Sequence, residues 1–418
     1  MNPQSDHRRQ VTVIGAGIVG ISCALNLLRD GHDVTVVDRV PPGEGCSRGN
    51  AGLFSSDSFV PLSLPGTLRK VPGWLLDPLG PLAIRWRHAP RLLPWLIRFV
   101  LAGRPDRVKA ICDALEPLLD SSLEHHLALA KGTEAEGLIR SEGCMYVYED
   151  AKSLADEAKS WDLRQARGTI VEKLNAAQIR EREPALAPIF EHGYYVSNVG
   201  HTVEPMLLVK GLAKYFAQSG GVILQREVRY IEIGPEGPSR LITDGDDLDI
   251  DVLVIAAGAF SNRLTAGLGS PVPLEGERGY HVTIANAGIP LNMPVFANTY
   301  KFIATPMAPG IRIAGTAEFG GLDAEPNFAR ADVLATHAKW MFPDIDTSDV
   351  TTWSGLRPTL PDSLPVIGPS PVFGNLFFAF GHQHVGLTGG PRTGKLIADL
   401  VAGRAPNMDI RPFRADRF

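Results

Sequence analysis

A glycine-rich segment near the N-terminus has the spacing that binds a nucleotide diphosphate. The residues G-A-G-I-V-G at 15–20 follow the apolar run Val11–Ile14 and open a helical pattern. In such a segment Gly15 permits a tight turn, Gly17 lets the backbone approach a pyrophosphate, and Gly20 lets the helix pack closely on the strand. The helix N-terminus would then offer free N–H groups and the positive end of its dipole to the phosphates.

Asp38 stands where this pattern places a ribose-binding carboxylate. It follows a second apolar run, Val34–Val37, so its side chain would meet the ribose hydroxyls at the end of a strand. A cofactor with a 2′-phosphate is disfavoured, because two negative charges would meet. The turn alone fits both FAD and NAD. A separate NAD site is disfavoured because no second turn of this kind follows a strand.

The elements that must position this turn indicate two kinds of sheet. Predominantly apolar runs, typical of buried parallel strands, are Val11–Ile14, Val252–Ala256 and Leu376–Phe380. Alternating patterns, typical of antiparallel strands, are Tyr280–Ile284, Lys301–Thr305 and Ile311–Ala314. We therefore predict an α/β protein with a discontinuous Rossmann-like dinucleotide-binding domain and an α+β substrate domain built on a mostly antiparallel sheet. The predicted ranges are 1–60, 200–272 and 351–418 for the first domain, and 61–199 and 273–350 for the second.

Composition excludes several classes of function. The chain has 418 residues, 44% hydrophobic and 21% charged, which is typical of a globular protein with two domains. A net charge of −5 gives no general attraction to nucleic acid. Four scattered cysteines predict neither a disulfide framework nor a thiolate metal site, and the polar N-terminus predicts no signal peptide. We expect a cytoplasmic protein without a metal.

Several further segments, in order along nearly the whole chain, resemble the D-amino-acid oxidase superfamily of flavoproteins, and within it the bacterial D-amino acid dehydrogenases. Besides the glycine turn they are G-N-A-G at 49–52, G-Y-H-V-T-I at 279–284, T-Y-K-F-I-A-T at 299–305, W-S-G-L-R-P-T-L-P-D at 353–362, P-V-I-G at 365–368 and G-H-Q-H-V-G-L-T at 381–388. The resemblance implies FAD as the cofactor. Some relatives attach FAD through a C-terminal cysteine, but the last cysteine here is Cys144, so we expect non-covalent FAD.

The resemblance also implies where the cofactor would lie. Ser47, Asn50, Ala51 and Gly52 would follow the flavin ring, Val228 would bracket the adenine, and Ala257 and Gly258 would approach the dinucleotide. The loop Gly381–Thr388 would meet the pyrimidine side of the ring, where a helix N-terminus stabilises the charge that develops on reduction. The full predicted cofactor set is Gly15, Ala16, Gly17, Ile18, Val19, Gly20, Asp38, Arg39, Ser47, Asn50, Ala51, Gly52, Val228, Ala257, Gly258, Gly355, Arg357, Gly381, His382, His384, Val385, Gly386, Leu387 and Thr388.

Arg357 occupies the position that binds the substrate carboxylate in the resembling family, and a guanidinium is the favoured partner of a carboxylate. The alternative is a structural ion pair at the domain junction. Arg278 is a second candidate for the same role. Tyr280 and Tyr300 are candidates to close the site and to bond the carboxylate, but each also fits plain sheet packing.

Two histidines stand on the flavin-facing loop. His382 and His384 would contact the flavin or the substrate amine, or would serve only as structural hydrogen-bonding residues. Their H-x-H spacing predicts no metal site, because no acidic or cysteine partner lies nearby in the sequence.

The implied reaction is oxidation of a D-amino acid, with D-proline and D-hydroxyproline among the substrates considered. A hydride would pass from Cα to flavin N5, giving the imino acid, and the electrons would pass to a quinone or another carrier. Two alternatives stay open: an oxygen-using amine oxidase of the sarcosine or glycine type, and a non-catalytic FAD subunit of an electron-transfer complex. A homo-oligomer or hetero-oligomer fits either.

Residues 62–104 combine basic and aromatic side chains around a single acid, Asp77. The basic residues are Arg69, Lys70, Arg85, Arg87, Arg91, Arg98 and Arg104, and the tryptophans are Trp74, Trp86 and Trp95. This mixture suits the inner face of the cell membrane, where a peripheral enzyme would meet quinone. It equally suits a helical hairpin that covers the active site or contacts another subunit.

Overall fold

The computed structural model describes residues 8–65 and 67–418. In chain order the strands are β1 Gln10–Ile14, β2 Asp33–Asp38, β3 Leu53–Phe54, β4 Leu82–Ile84, β5 Ile139–Arg140, β6 Cys144–Tyr148, β7 Val171–Asn175, β8 His192–Val196, β9 Gly200–Thr202, β10 Val222–Gln225, β11 Val228–Gly234, β12 Gly237–Thr243, β13 Leu248–Asp249, β14 Val252–Ile255, β15 Glu275–Ile284, β16 Val295–Ala297, β17 Phe302–Met307, β18 Gly310–Phe319, β19 Val350–Thr359, β20 Val366–Pro369 and β21 Leu376–Phe380. The helices are α1 Ile18–Arg29, α2 Thr67–Leu76, α3 Ala89–Ala102, α4 Pro105–Leu119, α5 Ser122–Ala130, α6 Ala151–Asp156, α7 Ala158–Gln165, α8 Ala176–Arg182, α9 Pro205–Gln218, α10 Ser261–Thr265, α11 Ala329–Met341 and α12 Gly386–Val401.

The first large sheet carries the predicted dinucleotide turn. Its strand order is β10-β2-β1-β14-β21-β20, and all neighbours are parallel except β20 and β21. The apolar runs at the start, the middle and the end of the chain are thus adjacent strands, as predicted. Ile21 and Leu25 of α1 are fully buried in the core on one face, and each such side chain contributes about 1.5–3 kcal/mol.

Helix α12 brings the C-terminal loop next to the N-terminal turn. It packs closely against α1, since a Cβ at Gly394 would lie 2.4 Å from the backbone oxygen of Ser22. A residue larger than glycine would push the two helices apart. The N-terminal ends of α1 and α12 therefore lie side by side above the same sheet.

The second large sheet is mostly antiparallel, as predicted. Its order is β19-β15-β18-β17-β16-β6-β8-β7, with β4 paired in addition to β18. One of its three ten-residue strands, β15, pairs with β18 on one side and with β19 along its whole length on the other. Helix α11 covers one face through a core that includes Phe302, Leu334 and Met341. Together the two sheets confirm the α/β fold class.

Two features depart from the ranges predicted for the domains. Strand β19 belongs to the second sheet, although residues 351–418 were assigned to the dinucleotide-binding domain. Helices α4 and α5, within the range 61–199, bury Val108, Ile111 and Leu129 in the core of the first sheet. The chain therefore crosses between the two cores more often than the order of the sequence patterns predicts. Within the described residues, no helix is both long and apolar enough to cross a bilayer.

Candidate active site

A cavity of about 1950 Å³ lies between the two sheets. Single small-molecule sites usually occupy about 300–1,000 Å³, so this one has room for a large cofactor together with a substrate. Its walls come from the C-terminal ends of β1, β2 and β14, from the loops before β3 and α12, and from β15 and β19. Almost all the predicted cofactor residues line it; the exceptions are Gly20 and Val385.

The glycine turn has the geometry that its spacing predicts. Gly15 has a φ of +116°, and a Cβ there would lie 2.3 Å from the backbone oxygen of Ala256. A Cβ at Gly20 would lie 1.9 Å from the oxygen of Gly15, so Gly20 supports the turn from behind rather than lining the cavity. Gly17 instead lies in the cavity wall, beside the hydroxyl of Ser47. A backbone this bare at the start of a helix fits a pyrophosphate.

Asp38 is already engaged with this turn. Its Oδ2 accepts a hydrogen bond from the Ala16 N–H at 2.7 Å, and its Oδ1 accepts one from Val40 at 3.2 Å. The next residue, Arg39, places its guanidinium carbon 4.1 Å from the ring centroid of Phe260, and both line the cavity. Val228, Ala257 and Gly258 complete this end of the wall. The arrangement fits the ribose and adenine parts of a dinucleotide.

The loop at residues 47–52 is fixed from behind by other elements of the fold. The Ser47 hydroxyl accepts the Ile18 N–H at 3.0 Å, at the start of α1. The backbone carbonyl oxygens of the next four residues, 49–52, each have a hydrogen-bond partner. The Gly49 oxygen lies beside Nδ1 of His281, and the Asn50 oxygen accepts a hydrogen bond from Arg312. The Ala51 oxygen accepts one from the Thr305 hydroxyl, and the Gly52 oxygen accepts one from the Thr202 N–H. Of these partners, His281, Arg312 and Thr305 lie on the second sheet. The loop is therefore held rigidly against that sheet.

The loop Gly381–Thr388 holds two histidines in different surroundings. His382 is buried and its Nε2 lies 2.9 Å from the Thr393 hydroxyl; burial lowers its pKa to about 3. This contact supports the alternative in which His382 is a structural hydrogen-bonding residue, although His382 also lines the cavity. His384 is accessible from the cavity but enclosed by protein, and this desolvation lowers its pKa to about 4. Both rings are therefore neutral near pH 7. Val385 is turned into the core.

Arg357 reaches the cavity from β19 as half of an ion pair. Its Nη1 lies 2.6 Å from Oε1 of Glu277 and donates to the backbone oxygen of Thr316 at 3.0 Å. The guanidinium rests on the bare backbone of β15, because a Cβ at Gly279 would lie 2.3 Å from Nη2 and 2.4 Å from Cζ. The structure thus contains an ion pair and, at the same time, leaves the Arg357 side chain 24% exposed.

The other predicted substrate residues are less available. Arg278 lines the cavity, but its Nη2 donates to the oxygen of Ala324 at 2.6 Å. The Tyr280 hydroxyl donates to Glu318 and accepts from the Asn327 N–H, so its polar end is occupied within the fold.

Tyr300 does not line the cavity. Its ring stacks on His337 at 4.2 Å and contacts Trp340, both on α11. Sheet and helix packing therefore accounts for Tyr300, and the structure does not bring it together with Arg357.

Several cavity residues were not anticipated. Glu277 lies within G-E-R-G at 276–279, directly before Tyr280, and its pairing with Arg357 follows only from the adjacency of β15 and β19. Tyr146 and Arg164 also line the cavity and share a carboxylate behind its wall: the Tyr146 hydroxyl donates to Oδ2 of the buried Asp57 at 2.9 Å, and Nε of Arg164 lies 3.3 Å from the same oxygen. These three residues come from distant parts of the chain, and no sequence signal joins them.

The segment 62–104 forms one side of the cavity. Trp95, Leu96 and Phe99 of α3 line it, and Trp95 packs against Phe319. This position agrees with the alternative in which the segment covers the site. Of the tryptophans, Trp86 is largely exposed at 77% and Trp95 is buried. The side chains of Arg69 and Lys70 lie outside the described residues.

Comparisons with known proteins agree with this geometry. The sequence profile of the DAO family, described as FAD dependent oxidoreductase, matches residues 10–400. A D-amino-acid oxidase of Bradyrhizobium diazoefficiens is 40% identical over 98% of this chain and 99% of the relative. A D-amino acid dehydrogenase of Vibrio cholerae is 32% identical over 95% of this chain and 96% of the relative.

A solved structure shares the fold. The glycine oxidase of Geobacillus kaustophilus superimposes with a TM-score of 0.74 over 99% of each chain, at 24% identity. The glycine turn, the fixed loop at 47–52 and the cavity volume all fit the cofactor of this family. The chain belongs to the DAO family of FAD-dependent oxidoreductases, as its resemblance predicted, and FAD is its cofactor.

Proposed function

We propose that this enzyme oxidises a D-amino acid to the corresponding imino acid. The observation that carries the proposal is the Arg357 guanidinium, held in the cavity wall against Gly279 and beside the loop at 381–388, where the Gln383 N–H donates to the Pro358 oxygen at 3.0 Å. A guanidinium presented in this way suits the carboxylate of an amino acid. The relatives named D-amino-acid oxidase and D-amino acid dehydrogenase, matched over nearly the full chain, support the D configuration.

The protein's own contribution is mainly orientation. FAD, when bound, supplies the acceptor for the hydride that leaves the substrate Cα. Arg357 would anchor the substrate carboxylate, and its position is set by Glu277 and Gly279. Tyr146 and Phe296 contact each other in the cavity wall, and their aromatic rings would help to exclude water from a bound substrate. Because His384 is neutral near pH 7, it adds no positive charge to the site. Fixed geometry of this kind accounts for much of the rate in such enzymes.

The test is anaerobic reduction of the bound flavin by a panel of amino acids. We expect D-isomers to bleach the absorbance and L-isomers to fail, with D-proline and D-hydroxyproline included to probe cyclic substrates. Sarcosine and glycine test the amine-oxidase alternative. Bleaching by L-isomers alone, or only by sarcosine or glycine, would contradict the proposal. A flavin that no compound in the panel reduces would favour a non-catalytic FAD subunit.

For the electron acceptor, we propose a quinone or another carrier, met at the membrane surface. Leu93, Ile97 and Leu101 are exposed and recur every four residues on the outer face of α3, and Arg91 and Arg98 are exposed beside them. Apolar side chains flanked by arginines suit an anionic lipid surface. The inner face of the same helix lines the cavity, so an acceptor in the membrane would have a short path to it.

Flotation with anionic liposomes at low salt tests the membrane contact. The wild-type protein should float, and Ile97→Ser should weaken flotation because it removes an apolar side chain from the outer face. Absence of binding at low salt would refute the contact. The 40% identical relative bears the name oxidase, so oxygen is the alternative acceptor. Rapid reoxidation of the reduced flavin by oxygen, with none by a soluble quinone, would favour that alternative.

A further inference from the structure

The wall of the cavity contains a carboxylate in direct contact with the proposed carboxylate-binding residue. Glu277 and Arg357 are paired directly across β15 and β19, and Oε1 of Glu277 lies 2.6 Å from Nη1 of Arg357. The second oxygen, Oε2, accepts a hydrogen bond from the Thr359 hydroxyl at 3.1 Å. The Glu277 side chain is 9% exposed, and the residue lines the cavity. The cavity wall therefore presents a fixed negative charge beside a fixed positive one.

An α-amino acid has the complementary arrangement. Its carboxylate and its ammonium are attached to the same carbon, so the two opposite charges are adjacent. A carboxylate bound to Arg357 would bring the neighbouring ammonium close to Glu277. We propose that Glu277 binds the substrate amine and makes the site selective for zwitterionic amino acids; this rests on the function proposed above.

The same arrangement disfavours a ligand that has only a carboxylate. Glu277 partly neutralises Arg357, and a second anion beside it would meet a like charge, which is destabilising at short range. An ammonium on the ligand removes this penalty and supplies hydrogen bonds to a carboxylate, which are stronger than neutral ones. Discrimination would thus come from the pair, whereas an isolated arginine would accept any small carboxylate.

A second pair of opposite charges in the wall allows a comparison. Lys301 lies 2.9 Å from Oε1 of Glu157, and both residues line the cavity. They belong to the loops before β17 and α7, away from Arg357 in the sheet. Glu157 carries the same carboxylate as Glu277 and is paired with the Lys301 ammonium, whereas Glu277 is paired with the Arg357 guanidinium.

The experiment compares an oxidised D-amino acid with the carboxylic acid that lacks its amine, using the FAD-loaded enzyme. In Glu277→Gln, the KM for the amino acid should rise at least tenfold, with a smaller change in kcat. The Ki of the deaminated acid as a competitive inhibitor should stay the same or fall. In the wild type, this Ki should exceed the KM of the amino acid at least tenfold, and that measurement needs no variant. The matched control is Glu275→Gln on the same strand, where Glu275 contacts His88 and does not line the cavity.

Several outcomes overturn the inference. If KM and Ki rise together in Glu277→Gln, Glu277 acts only by holding Arg357. If neither changes, or if the deaminated acid binds the wild type as tightly as the amino acid, no amine site exists at Glu277. A rise in KM confined to Glu157→Gln would place the amine at the other pair. By contrast, a wild-type flavin that no amino acid reduces would refute the proposed function itself.

Discussion

The most direct test of whether Arg357 positions the substrate carboxylate is a substitution that moves the guanidinium without removing it. In Gly279→Ala the new Cβ would lie 2.3 Å from Nη2 and 2.4 Å from Cζ of Arg357. Carbon and nitrogen atoms in contact need roughly 3.5 Å, so the guanidinium must shift by about 1 Å. The atoms in the way are the far end of a flexible side chain, so the sheet itself can stay as it is. The perturbation is therefore confined to the proposed carboxylate site.

A displacement of about 1 Å costs about 100-fold in rate when a group positions the substrate. We expect kcat/KM for D-amino acids to fall by that factor, equivalent to about 2.7 kcal/mol of transition-state stabilisation. The assay is steady-state oxidation of a D-amino acid, with FAD content and the melting temperature measured on the same preparations. FAD binding should be unchanged.

Gly276→Ala is the matched control for this prediction. Gly276 lies on the same strand, and a Cβ there would lie 2.7 Å from Cδ2 of Leu322 and 3.3 Å from Cδ2 of Leu356, which are also ends of flexible side chains. The Gly276→Ala variant should change the melting temperature slightly and leave the KM for D-amino acids unchanged. If Gly279→Ala keeps kcat/KM within threefold of the wild type, or if both variants lose activity equally, Arg357 does not position the substrate.

Three further predictions concern the cofactor and the stability of the fold. Gly17→Ala should abolish FAD binding and leave the melting temperature of the apoprotein nearly unchanged. In Gly20→Ala the new Cβ would lie 1.9 Å from a backbone oxygen, so this variant should destabilise the apoprotein by about 3 kcal/mol. Equal melting temperatures for the two apoproteins would contradict this prediction. Arg312→Met removes a charged donor from the Asn50 carbonyl, so the Kd for FAD, measured by flavin fluorescence, should rise about tenfold; an unchanged Kd would refute the role of this contact. Burial raises the pKa of Glu183 from 4.5 to about 7, so its ionised form costs stability fully above about pH 7 and not at all below 4.5. The free energy of unfolding of Glu183→Gln relative to the wild type should therefore rise by about 3 kcal/mol across that window, and a flat or falling difference in urea titrations would show that the sign is wrong.

The sequence was most informative where backbone geometry dictates residue type. The glycine turn could be placed because only glycine tolerates the φ of Gly15 and the contact at Gly20. Strand β19 was missed because V-T-T-W-S-G-L-R-P-T has neither apolar alternation nor a continuous apolar run; its pairing with β15 defines it. The prediction that Tyr300 closes the site assumes that the strand alternation extends back to this residue. Strand β17 begins only at Phe302, after Lys301 with a φ of +54°, so the alternation does not place the Tyr300 side chain.

Pairings between distant residues explain why the charges of the site were harder to predict. Glu277 and Arg357 meet only because β15 and β19 are neighbours, and the intervening chain gives no indication of that pairing. The sequence identified Arg357 by resemblance and left its ion pair as an alternative. The structure contains the ion pair in the cavity wall, so the two interpretations are compatible: a structural pair can also be the binding surface.

The second sheet connects the cofactor loop to the substrate residues. His281 on β15, Arg312 on β18 and Thr305 on β17 hold three carbonyls of the loop at 47–52, while Arg357 and Glu277 project from β19 and β15. The separation between the loop and the proposed carboxylate site is thus set by adjacent hydrogen-bonded strands. It does not depend on closure of one domain over another. Because a sheet deforms little, a change at Arg312 should affect FAD affinity and substrate KM together, whereas a change at Gly279 should affect KM or kcat alone. This difference between the two variants would show that the FAD-binding loop and the carboxylate site share one rigid support. Two independent sites would instead give an Arg312 variant that changes FAD affinity without changing KM.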